Sequence, residues 1–307
     1  MRFGIVILIL TIILFSGCVQ LPASNISDIG KAGEVIGNIS EKIDVQQCTP
    51  SYSATLPKEG KIGKNAVASV VATCAKGKKI ELFLNEEKIG EEVVNSNDES
   101  TVTFSVPFKT EGANTIKISS NGELIKSGEA SVSPLGSNDT SGVKNDAFSA
   151  KDLIASGFEI ENEIGVKSVG VFLKKLYSTS FKSSRIVVEI RPNDNDAPAE
   201  SIIATAAVPF DKLTMNERWI WFNFNESVNL KKGRYWLVFR VEQEKAEIIN
   251  DVANIHYVGE DTEKKAGWYS KKMTLEWDKK EGDYKETEWQ PANYDRIYSV
   301  LISSETH

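Results

Sequence analysis

The sequence is poor in the residues that most enzyme chemistry needs. It holds two histidines, His256 and His307, in 307 residues. Nucleophilic triads usually depend on a histidine base, and His256 sits in "ANIHYVG", an apparent strand, where an imidazole reads as half-buried structure. The histidines and the three cysteines (Cys18, Cys48 and Cys74) form no cluster with zinc spacing. No glycine-rich loop leads into a helix, and there is hardly a helical pattern to lead into. A clustered basic face is also lacking. The formal charge is −7, which argues against a nucleic-acid partner and gives no attraction to anionic lipid heads. The 43 acidic residues could supply the two carboxylates of a glycosidase, yet nothing singles out a pair. "PNDNDAPAE" gathers Asn193, Asp194, Asn195 and Asp196, oxygen donors of the kind calcium takes. The twelve-residue calcium-loop pattern is absent, so a solvated turn is the simpler reading. The sequence therefore predicts no catalytic residues, no metal ligands and no cofactor.

What is there begins with one apolar run, Phe3 to Phe15, behind Met1 and Arg2. A membrane-spanning helix needs about 20 apolar residues, and this run is shorter. A positive start, a short apolar core and small residues at the exit describe a signal peptide over residues 1–17. The exit, Ser16-Gly17-Cys18, resembles a lipoprotein signal, with Phe15 where that pattern prefers leucine. The resemblance implies cleavage before Cys18 and lipidation of its sulfur. An uncleaved anchor, helped by Val19, and full secretion are the alternatives. The first reading also explains an odd cysteine count in an exported chain, because Cys48 and Cys74 then remain as a pair for a disulfide in an oxidising compartment. Two unpaired thiols are the alternative.

Residues 18–47 read as a tether. Ile29, Ala32, Ile36, Ile39 and Ile43 have helical spacing, whereas Gly30, Gly33 and Gly37 each oppose a helix by about 1 kcal/mol. A short amphipathic helix and a flexible stalk both fit. From Cys48 to Pro134 the pattern becomes strands: "AVASVVATC", "KIELFLN", "STVTFSVPF" and "NTIKIS" are rich in β-branched residues. Val102, Phe104 and Val106 alternate with Thr101, Thr103 and Ser105. Gly, Asn and Asp turns separate the strands. This layout resembles the small immunoglobulin-like β-sandwich modules of microbial surface proteins. A polar linker follows, "LGSNDTSGVKND" at 135–146.

Residues 147–307 form a second β pattern, with strands at 169–175, 184–192, 201–208, 218–224 and 233–241. "VFLKK", "VEIRP", "SVNLKKGRYWLVFR" and a closing "WQPANYDRIYSVLI" resemble a jelly-roll domain appended to exported and surface proteins. The stretch 259–289 departs from that family, being dense in charge of both signs where glycine and serine are usual. The fold class expected is all-β: signal and stalk, immunoglobulin-like sandwich, jelly-roll sandwich.

All six tryptophans lie in the second domain. Trp219, Trp221 and Trp236 read as packing residues, although Trp219 and Trp221 alternate with Ile220 and Phe222, so one row must face outward or meet a cover. Trp268, Tyr269 and Trp277 lie among charges, and exposed aromatics on loops point to ligand contact. Trp289 opens the closing segment. Sequons at Asn25, Asn38, Asn138 and Asn225 are candidate glycosylation sites. The function expected is a lipid-anchored extracytoplasmic binding or adhesion protein. It sits on the outer side of the cell membrane and presents the jelly roll to a glycan or a surface protein. A structural subunit of a surface layer or envelope complex is the alternative, and a hydrolase is less favoured than either. Cys18→Ser is expected to leave the chain unprocessed or to release it from membranes, as fractionation and mass spectrometry of the N-terminus will show. Processing and membrane retention identical to the parent would exclude lipidation.

Overall fold

The computed structural model describes residues 48–141, 144–176, 184–242, 253–261, 270–278, 283–291 and 295–307. The N-terminal run with Cys18, the tether with Asn25 and Asn38, and Trp268 and Tyr269 lie outside the described residues. Among those described, the regular elements are strands apart from one 3-10 turn, Phe210–Lys212.

The first eight strands are β1 Ser51–Thr55, β2 Glu59–Lys61, β3 Asn65–Thr73, β4 Lys79–Leu84, β5 Glu87–Val93, β6 Ser100–Pro107, β7 Gly112–Ser120 and β8 Glu123–Ser133. They form a sheet β1-β3-β6 and a sheet β2-β8-β7-β4-β5, in which only β2 and β8 run parallel. Alternation sets the core. Ala68, Val70 and Ala72 of β3 and Phe104 and Val106 of β6 are buried, as are Ile80 and Leu82 of β4 and Ile116 and Ile118 of β7. Thr101, Thr103 and Ser105 between them are not. The register Ser51↔Thr73 brings Cys48 and Cys74 together, and the two are disulfide-bonded with Cα atoms 5.4 Å apart. Closing a loop of this length stabilises the fold by about 3.5 kcal/mol on the chain-entropy model. Two hairpins turn on paired left-handed residues, Asn85-Glu86 (φ 49° and 72°) and Asn121-Gly122 (φ 48° and 85°). Such two-residue turns match the strand twist.

The second group comprises β9 Leu135–Gly136, β10 Lys144–Phe148, β11 Asp152–Ile160, β12 Ile164–Lys175, β13 Arg185–Asp194, β14 Ala197–Pro198, β15 Ala204–Pro209 and β16 Arg218–Leu230. It continues with β17 Gly233–Glu242, β18 Ala253–Asp261, β19 Ser270–Asp278, β20 Asp283–Glu286, β21 Gln290–Pro291, β22 Asp295–Tyr298 and β23 Val300–Ser303. In one sheet β12 pairs with β16 on one side and with β23 and β18 on the other; β9 and β10 extend it. The other sheet runs β15-β13-β17-β11-β19. Val169, Val171 and Leu173 of β12 and Ile220, Phe222 and Phe224 of β16 belong to one buried cluster with Ile186, Val188 and Ile190 of β13 and Leu237, Phe239 and Val241 of β17.

Three details differ from the sequence reading. The polar stretch 135–146 is paired at both ends, Leu135–Gly136 with β23 and Lys144–Phe148 with β18. The closing segment 289–302 is divided among β21, β22 and β23, which pair with β19, β18 and β12 respectively. Strand β11, "DLIASGFEI", has no alternation to betray it because Leu153, Ile154 and Ala155 are all buried.

No sheet is shared between the two groups among the described residues; loops join them. Gly63, between β2 and β3, accepts hydrogen bonds on its carbonyl from the N–H groups of Glu161 (2.7 Å) and Asn162 (3.3 Å) in the β11–β12 turn. Its positive φ of 72° favours glycine. Glu161 pairs with Lys64 at 2.9 Å and accepts the Asn65 N–H. Asn162 Nδ2 donates to Asn65 Oδ1 at 2.6 Å.

The Lys64 ammonium, and then the Asn65 N–H, hold the Glu161 carboxyl below the usual carboxylate range. A depressed folded value means that the stabilisation is present above the unfolded value of about 4.3 and is lost as pH falls through the folded value. Denaturant midpoints of the parent and Glu161→Gln should therefore differ at pH 6 and converge near pH 2, with the parent more stable by at most about 1 kcal/mol because the pair is solvent-exposed. A gap that survives in acid would remove the ion pair as its cause.

Candidate functional site

The tryptophans part company in the fold. Trp236 is completely buried, and its indole N–H donates to Asn193 Oδ1 at 2.8 Å. Together with Leu153, Ala155, Val238 and Met273 it makes a second buried cluster on the far side of the β13–β17–β11 sheet, against which Trp289 packs. Beside that cluster Glu189 is closed off at 1% exposure, gripped by Arg191 at 2.6 Å and Arg240 at 2.8 Å. A buried carboxylate held by two guanidiniums is a structural lock, since removing one partner would leave an uncompensated charge.

Trp219 and Trp221 take the other course. β16 pairs with β12 alone among the described strands, so it is an edge. Ile220, Phe222 and Phe224 point into the sandwich, and Trp219, Trp221 and Asn223 point outward. The register sets Trp219 opposite Phe172 and Trp221 opposite Gly170. The outward face thus carries an aromatic row. Phe172 and Trp219 have centroids 5.5 Å apart and tilted, and Trp219 and Trp221 lie 6.4 Å apart and stacked within 27°. All three are half-buried. Gly170 is the floor: a Cβ there would stand 2.8 Å from the Trp221 ring, so only glycine lets the indole lie down on the sheet. At one end of the row Lys174 pairs with Glu217 at 2.9 Å.

At the other end the segment after β23 folds back. His307 stacks on Trp221, with centroids 3.8 Å apart and planes 23° apart. The Asn223 carboxamide donates to the His307 main-chain oxygen (2.6 Å) and accepts the His307 N–H (3.1 Å). The Ser168 hydroxyl donates to the Glu305 carbonyl at 2.6 Å.

Of the residues singled out for ligand contact, Trp268 and Tyr269 lie outside the described residues. Trp277 lies in β19, opposite Tyr284 of β20. Asn138 is exposed in the loop after β9. Asn225 is exposed where the β12–β16 register jumps from Ser168↔Asn223 to Val166↔Val228, so this sequon rides a bulge. His256 is in β18, paired with Asn145. The four polar residues at 193–196 make a two-residue turn, with Asn195 and Asp196 left-handed (φ 47° and 61°). Their side chains are engaged within the protein: Asn193 by Trp236, Asp194 by Asn195, Asp196 by Arg234. Sequence reasoning took Trp219 and Trp221 as packing residues and passed over Phe172, Gly170, Asn223 and His307. The alternating "RWIWFNF" raised the question of which row faces out, and only the pairing with β12 answers it.

No protein-family model matches the chain, and no curated protein matches it. Among solved structures, the CARDB domain of a Pyrococcus furiosus protein in complex with di-metal ions aligns at 16% identity and TM-score 0.24, over 27% of this chain and 92% of that one. Carbohydrate-binding modules of promiscuous specificity from the β-sandwich superfamily align at 9% identity and TM-score 0.22, over 67% of this chain and 95% of that one. SGBP-B from a complex xyloglucan utilization locus in Bacteroides uniformis aligns at 9% identity and TM-score 0.17, over 67% and 71%. Likeness this slight says nothing about ligands here.

Gly170→Val should tip the Trp221 indole off the sheet and break its stack on His307, at a cost of about 1–3 kcal/mol from overpacking. The indole N–H resonance of Trp221, assigned with Trp221→Phe, reports the move. An unshifted resonance would show that the glycine does not seat the ring.

Proposed function

We propose that the protein is a non-catalytic glycan-binding protein of the cell envelope, held to the outer side of the membrane by lipid on Cys18, with the second sandwich carrying the ligand site. The single observation that carries the binding reading is the outward aromatic row in which Trp219 and Trp221 of β16 stand beside Phe172 of β12. Large apolar rings left half-exposed on the outer face of a sheet mark a surface fit for binding. A sugar ring has an apolar C–H face that packs on an indole and a rim of hydroxyls that needs donors and acceptors in plane. The row supplies the first, and Asn223, next on the same face, supplies the second. Two chains or an equivalent double anchor hold a protein stably at a membrane where one acyl chain is marginal, and the acidic chain brings no electrostatic help. A structural subunit of a surface layer is the second reading. It is favoured by the pairing of β16 on one side alone among the described strands, since an unpaired strand edge can receive a strand from a partner.

Trp219→Ala should weaken binding to an envelope polysaccharide, identified on a glycan array with fragment 48–307, by about thirtyfold, or about 2 kcal/mol, as for a central aromatic anchor. Near-ultraviolet circular dichroism should confirm that the β-sandwiches persist. Undiminished glycan binding would reject the aromatic row as the site. Loss instead of a stoichiometric protein partner, with no glycan bound by the parent, would favour the structural reading.

A further inference from the structure

The segment beyond β23 does more than reach the aromatic row. Ser303 is buried, and Ser304 is pinned to the first sandwich, its N–H donating to Glu111 Oε1 at 2.6 Å and its hydroxyl accepting the Glu111 N–H at 3.3 Å. Glu305, Thr306 and His307 are exposed. They are held by polar contacts and one ring stack, with no side chain of theirs in the core. The contacts have a pattern. A flat ring lies on Trp221. One carboxamide, Asn223, donates to one oxygen and accepts from one N–H of the same residue. A fully buried hydroxyl, Ser168, donates to a third main-chain atom, the Glu305 oxygen, and the Ser303 hydroxyl lies 3.0 Å from His307 Nε2.

We infer that Trp221, Asn223 and Ser168 form a second sugar subsite, which residues 305–307 occupy as an internal competitor; this rests on the glycan-binding reading of the row. The imidazole takes the place of a pyranose ring on the indole. The N–H and main-chain oxygen of His307 take the places of two neighbouring hydroxyls, one donating to Asn223 Oδ1 and the other accepting from Nδ2. The Glu305 oxygen takes the place of a third hydroxyl, on Ser168. Among the described residues no such strap lies on Trp219, so a short glycan binds there while the segment is down. A longer one must displace His307. Ser304 stays fixed through Glu111 and acts as the pivot, which ties the subsite to the first sandwich. An affinity measured against a site that is open only part of the time is reduced by the open fraction.

The test compares fragment 48–307 with the same fragment ending at Ser304 and with His307→Ala. The probes are immobilised neutral linear trisaccharides and hexasaccharides and the synthetic peptide Glu-Thr-His. The shortened chain should bind a recognised hexasaccharide about tenfold more tightly, with His307→Ala between it and the parent and trisaccharide affinity unchanged. Excess peptide should return the shortened chain to the parent value. Equal hexasaccharide affinity in all three, while Trp219→Ala still weakens binding, would overturn the subsite and leave the glycan reading standing. No glycan bound by any of them would overturn both. Should the shortened chain fail to fold, the His307→Ala comparison decides alone: a gain supports the subsite and equality overturns it.

Discussion

The second sandwich hangs on the register between β12 and β16. Phe222 sits opposite Val169 and Ile220 opposite Val171, all four turned inward, and this choice sends Trp219 and Trp221 outward beside Phe172 and Gly170. A slip of one residue would exchange the two rows, driving two indoles into a core built for isoleucine and phenylalanine and exposing the aliphatic set. Core volume enforces the register because interiors are close-packed. The outward aromatic row is thus not selected by its own contacts; the packing beneath it places it there.

Position along the chain matters as much as direction across the sheet. β12 is paired along its other side too, with β23 over Ser168–Val171 and with β18 over Leu173–Lys175. It is therefore a central strand, and among the described strands β16 lies at the edge beside it. The pairing of β23 with β12 delivers the residues that follow, Ser304 to His307, directly onto the face where Trp221 and Asn223 stand. The first sandwich takes part in that geometry. Its loop at Gly63 meets the turn at Glu161, and Glu111 holds Ser304, so the row is presented from a joined pair of sandwiches.

The opposite sheet shows the contrast. Its outer side also carries a tryptophan, arginines and an asparagine in alternation, a composition that looks fit for a ligand. There Trp236 and Glu189 are fully buried, and each polar group named is engaged within the protein. Composition alone would rank that face above the β16 edge; burial reverses the order.

The all-β class, the two strand groups, the Cys48–Cys74 pair and the turns at Asn121-Gly122 and Asn195-Asp196 are legible in the residues. Each follows from local chemistry: β-branched alternation, the arithmetic of three cysteines, and residues that tolerate left-handed backbone. β11 was not legible because a strand buried on both faces has no alternation. The aromatic row and its neighbours were not legible either. Whether Trp219 or Ile220 faces solvent depends on a partner strand 50 residues away in sequence, Gly170 matters only because Trp221 lies on it, and His307 meets Trp221 only after β23 has paired. Local propensity is written in adjacent residues and can be read there. Which face is open, and what lies across it, is decided by long-range pairing, and that exists only in the folded chain.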